Sequence, residues 1–542
     1  MHSQLPLGQS SFQTIRVRNG IYVDKTALIS VLAQQESRIF LARPRRFGKT
    51  LLISTFESLF KDGLKYFDGL SIASTWRDAT YPVVRLDFSE IKIFSSASVF
   101  RAKLDEKLRA VFAGIGFRWR DNGGSVLSQL SSFLAAQPPA SFVILIDEYD
   151  APLTSSLENH QLLKAVQSIL NEFFLVLKSN EACLRFFFMT GITWLCRRFD
   201  LFDDLADISL DPGCGRLLGF ADEELRASFA PQLRAAARAL HLSDEALFAA
   251  LKKNYGGYAF DGKASVQVHN PWSVLNFLSR PDRGFRAYWF ESGGRPTVLR
   301  RYLKNHALQS PSAYGASISY PLAALRAPWH PNEIDPVVLL LEAGYLTLKH
   351  VAAGDFAMLG YPNDDVAVSM AQLYAEDLLR EDRAALACLA GLEKILATET
   401  LDKIAEAFNH VFAAIDCSRH PIDGEAACCA FLQILMIGLA RIPCVDVRQA
   451  LGHSELVVET ERRRWRFVVR CVKQTSEAGS RIEELGHETI DETIDERHAK
   501  GGVSEKKVMR AALAFSDEAR AFVAWRMISP LSAGSLTVGR SA

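Results

Sequence analysis

The sequence predicts an α/β protein whose first two hundred residues form a parallel sheet covered by helices on both faces. Three observations lead there. Short apolar runs alternate with helical stretches, one run passes directly into a basic Gly-Lys-Thr turn, and another ends in two adjacent carboxylates. The runs are Arg38–Ala42, Val83–Phe88, Phe142–Ile146 and Leu184–Met189. They are short, nearly continuous and rich in β-branched or aromatic residues, as strands buried on both faces read. Between them, Thr50–Phe60 and Gln161–Lys178 carry helical patterns. Such alternation builds a parallel sheet, because parallel neighbours need a long crossover.

The first run leads into Arg43-Pro44-Arg45-Arg46-Phe47-Gly48-Lys49-Thr50 and then a helix. This is the phosphate-loop pattern G-x-x-x-x-G-K-[ST], with Arg43 at the first glycine position. Backbone N–H groups and a helix N-terminus there present positive potential to phosphate oxygens. The expected ligands are ATP and Mg²⁺, held by Arg45, Arg46, Phe47, Gly48, Lys49, Thr50 and Leu51. Lys49 would reach the β- and γ-phosphates, and Thr50 would place its hydroxyl on the metal. Gly48 lets the backbone approach without a Cβ in the way. Two readings stay open for the arginines at 43, 45 and 46: they hold phosphates or a nucleic acid, or they pair with acids elsewhere in the chain.

The third run, Phe142–Ile146, delivers Asp147 and Glu148 to the end of a strand, a Walker B pattern. Asp147 would serve the metal, and Glu148 would polarise the attacking water as general base. Asp150 reads as structural. The fourth run ends in Thr190-Gly191. Thr190 either orients the lytic water or simply ends a strand.

From about Gly219 helical patterns dominate, at Asp222–Leu240, Ser243–Asn254, Pro271–Leu278 and Thr297–Asn305, with strands expected at Tyr345–His350 and Asp355–Met358. Helical sequence continues from Val366 to Ile415, and Pro421–Gly424 marks a boundary. A helix at Glu425–Leu439 then precedes strands at Glu455–Glu459, Trp465–Val472, Val508–Phe515 and Ala521–Met527. The tandem ETID-ETID at Glu488–Asp495 has two copies and reads as a solvated acidic helix, not a solenoid. The expected domains are 1–217 around the phosphate loop, 218–370 as a helical lid, 371–420 as a helical connector and 421–530 as a second α/β domain.

Composition bounds the function. The 542 residues suggest about three domains. With 62 basic and 62 acidic residues the net charge is zero, which excludes a globally basic nucleic-acid binder while leaving room for a local patch. Nine cysteines, an odd number without any C-x-x-C pair, argue against a disulfide scaffold or zinc ribbon. The N-terminus lacks the basic start and apolar core of a secretory signal, and the longest apolar run, around Cys428–Ala440, is too short to span a bilayer. A cytoplasmic protein with no membrane partner is expected.

Several strings resemble one large bacterial family of AAA-ATPase-like proteins that carry a C-terminal domain of the PD-(D/E)XK nuclease superfamily. They include the R-P-R-R-F-G-K-T loop, Ile146-Asp147-Glu148-Tyr149-Asp150, Thr190-Gly191-Ile192-Thr193, Tyr22-Val23-Asp24-Lys25-Thr26, Tyr255-Gly256-Gly257-Tyr258, Asn270-Pro271-Trp272-Ser273 and Ala343-Gly344-Tyr345-Leu346-Thr347. The match is strong to about residue 370 and weaker beyond. The resemblance implies a P-loop NTPase sheet, a helical lid and a C-terminal restriction-endonuclease-like domain. By analogy it implies a setting in defence against mobile elements.

That superfamily's chemistry needs carboxylates around Mg²⁺ and a lysine. In the matching positions this chain has Glu425 on the helix, Glu455 where Asp is usual, Val468 in place of Glu, and Arg470 in place of Lys. Valine cannot ligate a hard cation, and arginine is no tunable amine. The C-terminal domain is therefore read as a module that binds nucleic acid or protein without cleaving, with Arg462-Arg463-Arg464-Trp465-Arg466 suited to phosphates and stacking or else a merely exposed basic hairpin. The leading expectation is a Mg-dependent ATPase coupled to that module. The alternatives are an ATP-regulated nuclease and a nucleotide-gated switch that does not hydrolyse. Arg197, Arg198 and Arg295 are candidate arginine fingers by position, and an oligomer is compatible with the sequence.

Overall fold

The computed structural model describes residues 4–528 except 122, 195–198, 200, 292–298, 300–317, 326–334, 353–354, 380–381, 418–419, 441, 443, 451–452 and 486–506. The described residues fall into two compact units, one reaching to Ala367 and the other starting at Val368.

The first unit is organised by a five-stranded sheet of β1 (Arg38–Ala42), β2 (Val83–Asp87), β3 (Phe142–Asp147), β4 (Leu184–Gly191) and β5 (Ala206–Asp207). All pairings are parallel, and the spatial order is β2-β3-β4-β1-β5. Every residue of β3 is buried, which explains its unbroken apolar sequence. The helix Lys49–Asp62 lays Phe56 and Phe60 against Phe186 and Phe188 of β4, with ring centroids about 5 Å apart. The helix His160–Ser179 buries a stripe of Leu163, Val166, Leu170, Phe173, Phe174 and Leu177, and the Asn159 side chain caps it by accepting from Leu162 N–H. The four expected strands are all present. β5 was not expected, since two residues carry no periodicity.

The expected helix Asp222–Leu240 is two helices, Asp222–Ser228 and Ala230–Ala239. Pro231 lies in the first turn of the second, where its missing N–H costs nothing; continued through one long helix it would break a hydrogen bond and clash with the preceding turn. Helices Asp244–Tyr255 and Pro271–Ser279 match expectation. Two small antiparallel sheets complete the unit: β6 (Tyr258–Ala259) with β7 (Gln267–Val268), and β8 (Ile318–Pro321), β9 (Thr347–Ala352) and β10 (Phe356–Gly360) in the order β8-β10-β9. Thr297–Asn305, apart from Leu299, and the three finger candidates lie outside the described residues.

In the second unit, helices Arg383–Thr398, Leu401–Phe412 and Gly424–Gly438 accompany a sheet of β11 (Cys444–Ala450), β12 (His453–Glu459), β13 (Arg463–Val472), β14 (Lys507–Ser516) and β15 (Ala521–Met527), in sequential order. The first three strands form an antiparallel meander, β14 runs parallel to β13, and β15 returns antiparallel. The crossover between the parallel pair contains the helix Ala478–Leu485. Within 371–420, read from sequence as a connector, the helix Leu401–Phe412 is packed on this sheet: Phe408 meets Phe467 and Phe522, and Phe412 meets Phe515 and Phe522. The edge strand β11 was missed, and the ETID repeat lies outside the described residues.

Candidate functional site

The loop after β1 is held in shape from below. Arg46 and Gly48 both adopt left-handed backbone, at φ +69° and +100°. The second is natural for glycine, and the first is a strained choice that neighbouring contacts must maintain. Phe47 is buried and meets Tyr258 and Phe260 edge-on, with centroids 4.7 and 4.8 Å away. Pro44 rests on Gly344, where any side chain would collide: an added Cβ would stand 2.7 Å from Pro44 Cβ, at a φ of +86°.

Arg43 serves the same purpose. It is 2% exposed, its guanidinium donates to the carbonyls of Ala42, Ser209 and Cys214, and it stacks on the Phe260 ring at 4.6 Å. Burial lowers its pKa to about 10. Among the described residues Arg43 pairs with no side-chain acid; its guanidinium is spent on carbonyls beneath the loop. Phe47, counted among the nucleotide contacts, likewise spends its ring on the core.

Lys49 begins the helix Lys49–Asp62, and its ammonium donates to the Arg43 carbonyl at 2.9 Å and the Pro44 carbonyl at 3.0 Å. It is 7% exposed, and burial lowers its pKa to about 8 against the opposing fields of Asp147, Glu148 and Asp150. Facing the loop, Asp147 ends β3 buried; burial raises its pKa, and the nearby Thr50 hydroxyl and Lys49 ammonium partly offset the shift. Glu148 follows in left-handed backbone at φ +47°, its N–H donating to Asp147 Oδ1 at 3.0 Å. Burial raises its pKa as well, and Lys49 partly offsets the shift.

Two neighbouring residues have other duties. Thr190 is fully buried, and its hydroxyl donates to the Leu41 carbonyl of β1 at 2.7 Å. That bond turns the hydroxyl into the sheet, so the lytic-water role gives way to the strand-end reading. Asp150 accepts from Ile192 N–H, Thr193 N–H and the Thr193 hydroxyl, at 3.0, 2.9 and 2.9 Å, and fixes the turn after β4.

Above the loop lies a cavity of about 490 Å³. Residues 45–52 form one wall, with Glu148 and Lys92 beside them. The opposite walls come from Tyr22, Val23 and Lys25 of the N-terminal segment, from Leu217–Phe220, and from Pro271, Trp272 and Leu275. Lys25 is fixed there by Glu224 at 2.6 Å. The buried Nε of Arg45 has no hydrogen-bond partner. The Arg43 Nε is left over in the same way among the described residues, but of the two arginines Arg45 is the one that lines the cavity. An ammonium, an unpaired guanidinium nitrogen, helix N–H groups and a hydroxyl–carboxylate pair suit a phosphorylated ligand with a hard cation. Trp272 and Lys92 were not expected from sequence; Trp272 lies in a string that the resemblance had marked without a role.

Residues 6–199 match the model of a family described as predicted AAA-ATPase. This part of the chain is similar to the AAA-ATPase-like domains of that family. A curated relative, an uncharacterized protein in the vnfD 5′ region of Azotobacter chroococcum mcd 1, is 29% identical over 421 residues, covering 76% of this chain and 78% of that protein. Among solved structures, the ORC2 protein of Aeropyrum pernix in ADPNP–ADP complexes is 10% identical, covering 78% of this chain and 86% of that one, with a TM-score of 0.25.

In the second unit, the four positions that match the nuclease motif are otherwise engaged. Glu455, 3% exposed, receives a two-pronged contact from Arg466, with Nε on Oε1 at 2.6 Å and Nη2 on Oε2 at 2.9 Å. Arg470 contacts both oxygens of Glu425 at 3.3–3.4 Å. Val468 stands opposite Glu455 across the β12–β13 pair and belongs to an apolar cluster with Val472, Ile482 and Ala512. Among the described residues no group of three or more His, Cys, Asp or Glu side chains is arranged to hold a metal.

The basic cluster departs from expectation too. Trp465 is fully buried with its indole N–H on the Leu396 carbonyl at 2.7 Å, and Arg463 donates to the carbonyls of Thr398 and Glu399. With Arg466 committed to Glu455, the stacking surface expected for a nucleic acid does not form. Among the described residues no helix is long and apolar enough to cross a membrane.

Proposed function

We propose that the first unit binds ATP with Mg²⁺ and hydrolyses it. The observation that carries this reading is the strand order β2-β3-β4-β1-β5, which puts one strand between the phosphate loop and the Asp147-Glu148 pair. A gap of one strand sets β1 and β3 roughly 10 Å apart, room for a terminal phosphate and an attacking water. In this reading Lys49 leaves its two loop carbonyls for the β- and γ-phosphates, Arg45 and the N–H groups of residues 47–50 complete the cradle, and Thr50 with Asp147 holds the cation. The bound cation supplies charge neutralisation on the phosphate oxygens. Glu148, kept basic enough by burial, takes the proton of the water. Residues 218–367, with Trp272 and Leu275 on the cavity wall, act as the lid.

The test is a pair of substitutions. Lys49→Ala should abolish ATP binding in calorimetry, and Glu148→Gln should bind ATP normally while turnover falls at least about a hundredfold. No affinity in wild type and Lys49→Ala alike would overturn the proposal, and equal turnover in wild type and Glu148→Gln would remove the base assignment.

For the second unit the proposed role is binding without cleavage. The succession of helix, three-strand meander, helix and a fourth strand parallel to the third supports a restriction-endonuclease-like core. The Glu455–Arg466 and Glu425–Arg470 contacts supply positive charge where such an enzyme would keep a cation. A protein partner is favoured over nucleic acid, since Arg463, Trp465 and Arg466 are spent on internal contacts. The defence setting rests on the resemblance alone.

A further inference from the structure

Arg46 and Trp272 meet at the cavity although 226 positions separate them. The Arg46 guanidinium carbon lies 4.4 Å from the centre of the Trp272 ring. Both residues line the cavity above the phosphate loop. Each is held from its own side. Arg46 projects from a left-handed backbone position whose φ of +69° fixes the direction in which the side chain departs. Trp272 follows Pro271 in the first turn of a helix capped by Asn270, whose side chain accepts from Ser273 N–H at 3.1 Å, and its indole N–H donates to the Tyr288 carbonyl at 3.3 Å. The ring is thus anchored at its polar edge and offers its face to the cation.

We infer that Trp272 is a positioning residue that aims Arg46 at the terminal phosphate of a bound nucleotide, so that the pair distinguishes a nucleoside triphosphate from a diphosphate. The inference rests on the nucleotide reading of the cavity given above. Its physical basis is the shape of the guanidinium group. Stacking uses the flat face of the group, whereas hydrogen bonding to phosphate uses its edge, so one arginine does both at once. A free arginine would lose considerable side-chain entropy on clamping a phosphate; one already held against a ring has lost much of it before the ligand arrives. The position also suits the far end of the ligand. Lys49 and the loop N–H groups face the phosphates next to the helix, while Arg46 lies within the field of Glu148, the carboxylate assigned to the attacking water. A cation there meets the group that only the triphosphate possesses. The indole edge is occupied by the Tyr288 carbonyl, which leaves the ring as a platform and not as a donor to the ligand.

The test measures two affinities on the full-length chain by calorimetry, for a hydrolysis-resistant ATP analogue and for ADP, each with Mg²⁺. Trp272→Ala should weaken the analogue roughly tenfold, equivalent to about 1.4 kcal/mol, while ADP changes less than about twofold. Trp272→Phe keeps a ring face and should retain most of the preference. Arg46→Lys keeps the charge but loses the planar fork, and should match Trp272→Ala; the double variant should add little to either, as expected for residues acting through one contact. Equal weakening of both nucleotides by Trp272→Ala would overturn the inference and make the ring a plain wall for the nucleoside. An unchanged ratio in Arg46→Lys would also overturn it. Absence of any binding in wild type would instead bring down the nucleotide reading on which the pair depends.

Discussion

Lys49 is the residue whose protonation most directly governs the proposed chemistry. Burial lowers its pKa to about 8, and its ammonium rests on two carbonyls of its own loop. A phosphate ligand favours the charged form and would raise that pKa again. Around pH 8 the empty protein is therefore partly deprotonated and the loaded protein is not, so nucleotide binding should take up protons. Calorimetry in two buffers of different ionisation enthalpy would measure that uptake, and Lys49→Arg should abolish it. Affinity should fall as pH rises through about 8. Turnover should fall in the opposite direction, as pH drops through the raised pKa of Glu148 and protonates the base. That Lys49 and Thr50 begin a helix after β1, and that Asp147 and Glu148 stand at the end of β3, was legible in the sequence because each pattern is local. The contacts of Arg43, Phe47 and Thr190 were not, since their partners lie far along the chain: Ser209 and Cys214 for the first, Tyr258 and Phe260 for the second, Leu41 for the third. A charge or hydroxyl beside a motif looks like part of it until the tertiary contact that consumes it is visible.

Elements carry the site through close approaches that leave no margin for a side chain. At the end of β4, an added Cβ on Gly191 would lie 2.5 Å from the Tyr149 ring and 2.7 Å from Asp150 Oδ1. Gly191→Ala should destabilise the protein by about 1–3 kcal/mol, read from denaturant melts, because Tyr149 and Asp150 are both tied to Thr193 and cannot retreat. In the other sheet, Arg466→Ala would leave the Glu455 carboxylate buried without its cation. The expected cost is about 3–5 kcal/mol, and replacing both residues by methionine should recover most of it. The strands β1 to β4 of the first sheet were legible from composition, since β3 is buried throughout and β4 at every position but Arg185. β5 and β11 were not. One has two residues, and the other is an edge strand whose mixture of Asp446, Arg448 and Gln449 with Val445 and Val447 offers no apolar run. Strand order was also beyond the sequence: nothing in Leu184–Gly191 says that it lies between β1 and β3.

At the scale of the chain, two units divide the residues near position 367. Some of the 62 acidic and 62 basic residues are paired with one another, as in Arg466 with Glu455, Arg470 with Glu425 and Lys25 with Glu224. Full-length protein incubated with DNA or RNA and Mg²⁺ or Mn²⁺ should leave the substrate intact; cleavage lost in Glu455→Ala would restore the nuclease reading. The two guanidinium contacts in the second unit have one more consequence. Their charges are covalently part of the chain, so their occupancy cannot vary with the supply of free divalent ions. Chelators should leave the melting of that unit unchanged. The first unit, on the proposed reading, takes its counter-charge from exchangeable solutes and changes state with them. On that reading the first unit senses its surroundings, and the second is insulated from the same fluctuation.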